Sequence, residues 1–274
     1  MPLCRPGNAT RKDGELYQFV EQGFKGNSVT DLVDSGGGTH CGQSFWDPKM
    51  RRVQFMWLEI QLPNATWSGA PTLPREIVLA PAGSATGLWF RPLPEMSRLH
   101  VPGSQRNTSL SLSADGGWQD VSVVDGLHTH VLLTLSLPDD VTTTVSIEVR
   151  AVATPRATGS LMVNVSRGAI QLNGGPCAAP VWPPCELKEA TLATLRNSSS
   201  VELEMFIDGP LTEIFVNGGE RALSSSANVL FLEGAAIRAT ATGRGKAAVA
   251  LTASSYAMKK SVHVSGAKQA GSER

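Results

Sequence analysis

No apolar run in this chain approaches the roughly 18 residues that a membrane-crossing helix needs, so no membrane partner is expected. A surplus of charge is missing too. Its 24 basic residues balance 24 acidic ones, for a formal net charge of zero. Without a basic surplus, nucleic acid is a poor fit as the main partner. Charged residues make up 18% of the chain, below the usual quarter or so. The long Ala/Leu/Glu/Lys runs of helical proteins are absent. The first 19 residues hold no apolar core of signal-peptide type. The four cysteines, Cys4, Cys41, Cys177 and Cys185, match no zinc-ligand spacing, so neither a metal nor a cofactor is expected. No repeat with a period of roughly 20–50 residues is found.

What is present is punctuation. The chain has 27 glycines and 17 prolines, which favour many short strands joined by turns. Its 274 residues suffice for a sizeable core in one or two domains. The clearest stretch is 201–224. Val201, Leu203, Met205 and Ile207 alternate with Glu202, Glu204 and Phe206, the period-2 pattern of a half-buried strand. Asp208-Gly209-Pro210 breaks the run. Ile214 and Val216 then alternate with Glu213 and Phe215, and Asn217-Gly218-Gly219 is a strong turn signal. One wet face and one dry face are expected for this stretch.

Short strands recur through the second half, over Val121–Val124, Val131–Leu137, Val145–Val152 and Ser160–Val165. After 201–224 they continue over Ala235–Ala241, Ala247–Ala253 and Tyr256–Val264. That spacing is the signature of an all-β sandwich. The first half is shorter, more aromatic and richer in loops. Two apolar runs around Asp47-Pro48 read as a β-hairpin, with Asp47 as turn former. Further strands are expected over Tyr17–Val20, Arg75–Leu79 and Leu88–Arg91, and a helical turn over Glu95–Leu99. Residues 1–16 are polar and predict little order.

Two features bear on compartment. Five N-x-[ST] sequons start at Asn8, Asn64, Asn107, Asn164 and Asn197. They are either chance matches in a Ser/Thr-rich chain or glycosylation sites of a secretory-pathway protein whose signal lies upstream of Met1. Cys177 and Cys185 flank a proline-stiffened loop. They are either free thiols or a local disulfide in an oxidising compartment.

The order of the motifs resembles a known family. Asp34, the hairpin Ser44-Phe45-Trp46-Asp47, Arg51-Arg52 and Trp57 with Glu59 are similar to successive elements of glycoside hydrolase family 32, the invertases and fructan hydrolases. Leu73-Pro74-Arg75 and Leu88-Trp89-Phe90-Arg91-Pro92 look like its next two segments. Phe206-Ile207-Asp208 and Glu213-Ile214-Phe215-Val216-Asn217-Gly218-Gly219 look like its sandwich signature. The resemblance implies an all-β fold: a remnant of the last blade or blades of a five-bladed β-propeller, then a C-terminal β-sandwich. It divides the chain into a lead (1–16), partial blades (17–95), a linker (96–108), a sandwich (109–265) and a tail (266–274). It implies retaining hydrolysis of β-fructosides such as sucrose or a fructan by two carboxylates.

The family's three catalytic motifs, Asn-Asp-Pro, Arg-Asp-Pro and Glu-Cys, are all missing here. No residue of this chain is therefore assigned a catalytic role. Trp57, Glu59, Trp46 and Arg75 are the candidate substrate-contacting residues. For each the plainer reading is a core aromatic, a solvated carboxylate or, for Arg75, a partner for a carboxylate. Three readings follow: the C-terminal portion of a β-fructofuranosidase-type enzyme, a non-catalytic lectin-like sandwich, or a subunit completed by another chain. The first implies a secreted or a vacuolar or lysosomal protein.

Overall fold

The computed structural model describes residues 7–10, 18–21, 34, 39–58, 69–82, 84, 87–124, 128–139, 142–151, 160–173, 191–195, 197–209, 211–226, 235–244 and 247–259. The first sheet is a strand pair, β1 (Gly7–Thr10) with β2 (Gln18–Glu21). Strand β1 lies within the stretch predicted to have little order. The β-prone segment after it needs a partner for its backbone groups, and Ala9 sits opposite Phe19.

An N-terminal meander follows. It contains β3 (Thr39–Trp46), β4 (Arg52–Leu58), β5 (Ala70–Pro71), β6 (Arg75–Leu79) and β7 (Leu88–Pro92), in the antiparallel order β3-β4-β6-β7 with β5 beside β4. Asp47 builds the first hairpin. Its Oδ1 accepts from the backbone N–H of Lys49 and of Arg51, both at 2.9 Å, and its Oδ2 accepts from the Arg51 guanidinium. Arg51 in turn donates to Glu95 in the 3-10 turn Pro94–Leu99, which ties the hairpin to the start of the linker.

The sandwich comprises β8 (Arg106–Leu112), β9 (Gln119–Val121), β10 (His128–Ser136), β11 (Thr144–Ala151), β12 (Ser160–Ser166), β13 (Ala169–Asn173) and β14 (Thr191–Thr194). It continues through β15 (Ser200–Asp208), β16 (Leu211–Val216), β17 (Arg221–Ser226), β18 (Ala235–Thr242) and β19 (Val249–Ala257). Its two six-stranded sheets have the orders β17-β16-β15-β10-β19-β8 and β14-β13-β12-β11-β18-β9. The first is called proximal here because it meets the meander, and the second distal. Inward side chains of both sheets form one core that includes Val131, Leu133, Ile147, Val163, Leu203, Ile214 and Leu251. Strand β12 alternates between buried and half-buried positions along its length.

Two boundaries differ from expectation. Strand β8 starts at Arg106, inside the predicted linker, because Arg106–Leu112 pairs with β19. The strands expected over 247–253 and 256–264 are joined in one, Val249–Ala257. Ser254-Ser255 does not turn the chain, since Ser255 is buried and its Oγ accepts from the Val124 N–H at 3.0 Å. Residues 260–264 lie outside the described residues.

The expectation of a wet face on 201–224 holds only at its start, where Glu202 is exposed and Glu204 half-buried. Val201, Leu203, Met205 and Ile207 do enter the sandwich core. Phe206, Phe215 and Ala222 point the other way, yet they are buried against Met56 and Phe90 of the meander. Leu73, Ile77, Leu88, Met96 and Met258 pack around this second cluster. Burying each such large side chain contributes about 1.5–3 kcal/mol.

Candidate functional site

One cross-strand row on the outer face of the proximal sheet organises the contact between the modules. Register places Tyr256 opposite His130, His130 opposite Phe206, Phe206 opposite Glu213, and Glu213 opposite Ser224. Directly opposed residues share a face, so these five side chains line up across β19, β10, β15, β16 and β17.

Arg75 reaches one end of the row. Its guanidinium is fully buried. Nη2 lies 2.7 Å from Glu213 Oε2, 2.8 Å from Asp34 Oδ2 and 2.6 Å from Ser224 Oγ. Asp34 also accepts from the Ser224 backbone N–H and hydroxyl, and Glu213 Oε1 accepts from the Leu73 N–H at 2.6 Å. The guanidinium carbon sits 5.3 Å from the centre of the Phe215 ring, a cation–π contact that helps to replace lost water. Two carboxylates face one cation, so the site is one charge short of neutral. Burial, with Asp34 adding to it, pushes Glu213 above the usual carboxylate range against the pull of Arg75.

A backbone contact lies beside this seat. Asn217 and Gly218 both have positive φ, 50° and 69°, and the Gly219 N–H bonds the Val216 carbonyl at 3.0 Å. This is the hairpin turn with two left-handed central residues. The Gly219 carbonyl then accepts from the Phe90 N–H of β7 at 3.0 Å. A Cβ on Gly219 would stand 2.8 Å from the Phe90 carbonyl oxygen. The Asn-Gly-Gly signal read as a turn is also the point where the sandwich backbone touches the meander.

The candidate substrate residues are not brought together. Of the two roles expected for Arg75, the structure gives it the second: it pairs with carboxylates inside the interface and lines no open surface. Trp46 pairs with Arg52, and Trp57 lies an odd number of residues further along β4. The two indoles therefore project from opposite faces of the meander. Trp46 is 60% exposed with the Arg52 guanidinium over its ring, and Trp57 is 40% exposed. Glu59 lies outside the described residues.

Trp57 lines a shallow depression of about 420 Å³ with Cys41, Gln43, Phe55, Met56 and Pro71. Phe45 stacks on Phe55 nearby, with ring centres 6.1 Å apart, and is itself half exposed. This outer face of the meander is apolar, with Gln43 supplying an amide. Glu76 sits on the same side and binds Arg91 at 3.0 Å, whereas Asp34 is held on the sandwich side. They do not form a facing carboxylate pair. Among the described residues no three His, Cys, Asp or Glu groups converge as a metal site would require.

Of the sequon asparagines, Asn107 and Asn197 are exposed. Asn164 is half-buried on β12, and its Oδ1 accepts from Ser146 at 2.7 Å. Asn8 lies in β1. Asn64, Cys177 and Cys185 lie outside the described residues.

Sequence reading passed over two sets of residues here. Asp34, Arg75 and Glu213 were each noticed singly, but not as a triad. His100 and His130 were not noticed at all, and Glu204 only as one of the residues of the expected wet face. The available signal was the phase of β15 and β16, where Phe206 and Phe215 stand on the face assigned to water.

A four-strand meander seated on the outer face of a two-sheet sandwich places the chain among all-β proteins that couple a sandwich to a second β module. The particular fold is glycoside hydrolase family 32-like. Fructan 1-exohydrolase IIa from Cichorium intybus superposes with a TM-score of 0.68 at 17% identity, over 88% of this chain and 52% of that one. An exo-inulinase from Aspergillus awamori gives 0.65 at 21% identity, over 90% and 48%. A family 32 β-fructofuranosidase of Bombyx mori gives 0.60 at 16% identity, over 90% and 45%. The chain thus spans about half the length of the solved structures it matches. No protein-family model matches the sequence, and no curated protein does.

Proposed function

We propose that this chain is the C-terminal portion of a family 32-type glycosidase acting on β-fructofuranosides such as sucrose or a fructan, and that it is inactive by itself. The observation carrying this reading is the match over 88% of the chain, more than the sandwich alone could supply. The outer face of the meander supports it. A propeller blade is a four-stranded sheet stacked against its neighbours, and Phe45, Phe55, Trp57 and Pro71 offer an apolar surface for such a neighbour. A fructosyl unit would need several hydrogen-bond partners, and the depression beside Trp57 offers few. In this reading Trp57 meets a preceding blade, and the substrate is held by the assembled protein.

A retaining glycosidase needs two carboxylates about 5 Å apart. Asp34 is committed to Arg75, and Glu76 to Arg91. Purified chain incubated with sucrose or 1-kestose is expected to release no fructose. Turnover that Glu59→Gln abolishes would overturn the proposal. Calorimetric titration with the same sugars is expected to give no heat of binding. Saturable binding lost in Trp57→Ala would instead favour the lectin-like reading. The proposal includes a secretory-pathway location, with glycans at Asn107 and Asn197. Mass loss on enzymatic deglycosylation of the native protein tests this, and an unchanged mass argues against it.

A further inference from the structure

The far end of the cross-strand row is occupied by the linker. His100 follows the 3-10 turn and bridges to Met258. The Val101 N–H bonds the Ala257 carbonyl at 2.8 Å, and the Lys259 N–H bonds the Leu99 carbonyl at 2.7 Å. The His100 ring stacks on Tyr256, with centres 4.1 Å apart and planes 5° apart. Its Nε2 lies 2.8 Å from His130 Nδ1, and His130 Nε2 lies 3.0 Å from Glu204 Oε1. His130 stacks in turn on Phe206, at 4.1 Å and 8°.

Counting protons along this line shows what it tolerates. Ionised Glu204 only accepts, so His130 Nε2 carries a proton. Neutral His130 then presents a bare Nδ1, which accepts from His100 Nε2–H. One added proton fits on the outer nitrogen of His100, and both hydrogen bonds survive, with Glu204 offsetting the charge. A second added proton places N–H against N–H across 2.8 Å and sets two cations side by side. The line holds one extra proton and rejects the next.

We propose that His100, His130 and Glu204 form an acid-sensitive latch that holds the linker, and through it the meander, on the proximal sheet near neutral pH and lets go on acidification. The other charged or titratable groups around it do not replace Glu204. Tyr256 stacks from β19. His128 is engaged by Asp208 at the end of β10 and β15. Lys259 Nζ donates to the Arg98 carbonyl, and Glu95 is held by Lys49 and Arg51. Burial first, then the neighbouring His130, hold the His100 imidazole below its ordinary 6.5, with Glu204 opposing. An imidazole depressed on folding contributes stability that is full above the unfolded value and is lost as pH falls below it. Docking is therefore complete above about pH 6.5 and weakens below.

Hydrogen–deuterium exchange on the full chain, corrected for the intrinsic pH dependence of exchange, tests this. Protection of residues 99–104 is expected to fall by up to about tenfold per pH unit below 6.5, the slope for one proton, while β11 stays protected. In His100→Asn the corrected exchange should be flat with pH, and in His130→Gln, where burial alone still depresses His100, its slope should be shallower. Constant wild-type protection down to pH 5, or an equal slope in both variants, overturns the latch. Should a variant fail to fold, imidazole NMR of the wild type decides. Two steps separated by more than about one pH unit are expected for a coupled pair, and two independent steps near the free value overturn it.

Discussion

The two ends of the cross-strand row grip the same neighbouring segment by opposite means. At the Glu213 end the visitor is Arg75, a permanent cation sealed from water between two carboxylates. At the Tyr256 end it is His100, a titratable ring that is half-buried. They lie roughly 14 Å apart along the row, three strand spacings of about 4.8 Å between Glu213 and Tyr256. Acid acts on them with opposite sign. Glu213 is raised, so its proton is favoured by folding, and the Arg75 seat gains stability as pH falls through the raised value toward the ordinary carboxylate one. His100 is lowered, and its seat loses stability over the same descent. Burial lies behind both shifts. The sign differs because burial disfavours charge, and the charged form is the deprotonated one for Glu213 and the protonated one for His100.

Breaking the Arg75 end gives the largest expected effect. Arg75→Met leaves Asp34 and Glu213 buried without their cation, and should cost about 3–5 kcal/mol in urea unfolding. Adding Glu213→Gln should recover part of that loss. A loss under 1 kcal/mol would mean that the seat is solvated, and the contrast between the ends would collapse. Gly219→Ala comes next. Its φ is 107° and its Cβ position is filled by Phe90, so a cost of about 1–3 kcal/mol is expected, with faster proteolysis of residues 39–92.

A smaller effect sharpens the comparison. In His100→Asn the acid-loosening arm is gone, and stability should rise as pH falls through the raised Glu213 value toward 4.5. Adding Glu213→Gln should flatten that slope. A slope of the opposite sign in the single variant would show that Glu213 is not raised. Smallest of all is Glu95→Gln. Arg51 and Lys49 hold Glu95 at a pKa of about 2, but the group is only part-buried and its Lys49 partner is exposed. Its removal should leave the unfolding midpoint within error near pH 7, because exposed ion pairs are screened.

Much of this architecture is legible in sequence. Period-2 alternation located β11, β12, β15 and β16, Asn217-Gly218 marked the turn after β16, and Asp47 marked the one between β3 and β4. Those signals are local, and local chemistry forms them. The candidate site was less accessible. Arg75 and Glu213 are 138 residues apart, and Asp34 and Ser224 are 190 apart. Nothing near any of them announces the partner. Alternation reports that a strand has two unlike faces. It does not report that a second sheet covers the outer one, and so Glu213 was assigned to solvent. His100 was hidden because a histidine in a polar stretch after a proline turn looks like linker until Tyr256 is seen beneath it.

That separation also sets an order of assembly. The meander leaves the ribosome well before β15, β16 and β17, because synthesis runs from the N-terminus. Until the β16–β17 hairpin forms, the carbonyl that receives the Phe90 N–H is missing, as are Glu213 and Ser224. During that interval Met56, Ile77 and Phe90 have no sandwich to cover them, and Arg75 lacks Glu213. Closing the interface is thus a late, long-range step in the life of the nascent chain. A ribosome-stalled chain ending before residue 200 should be cut by protease within 39–92, and the full chain released from the ribosome should resist. For this chain the hazard of misassociation falls on the part made first, and its protection is made last.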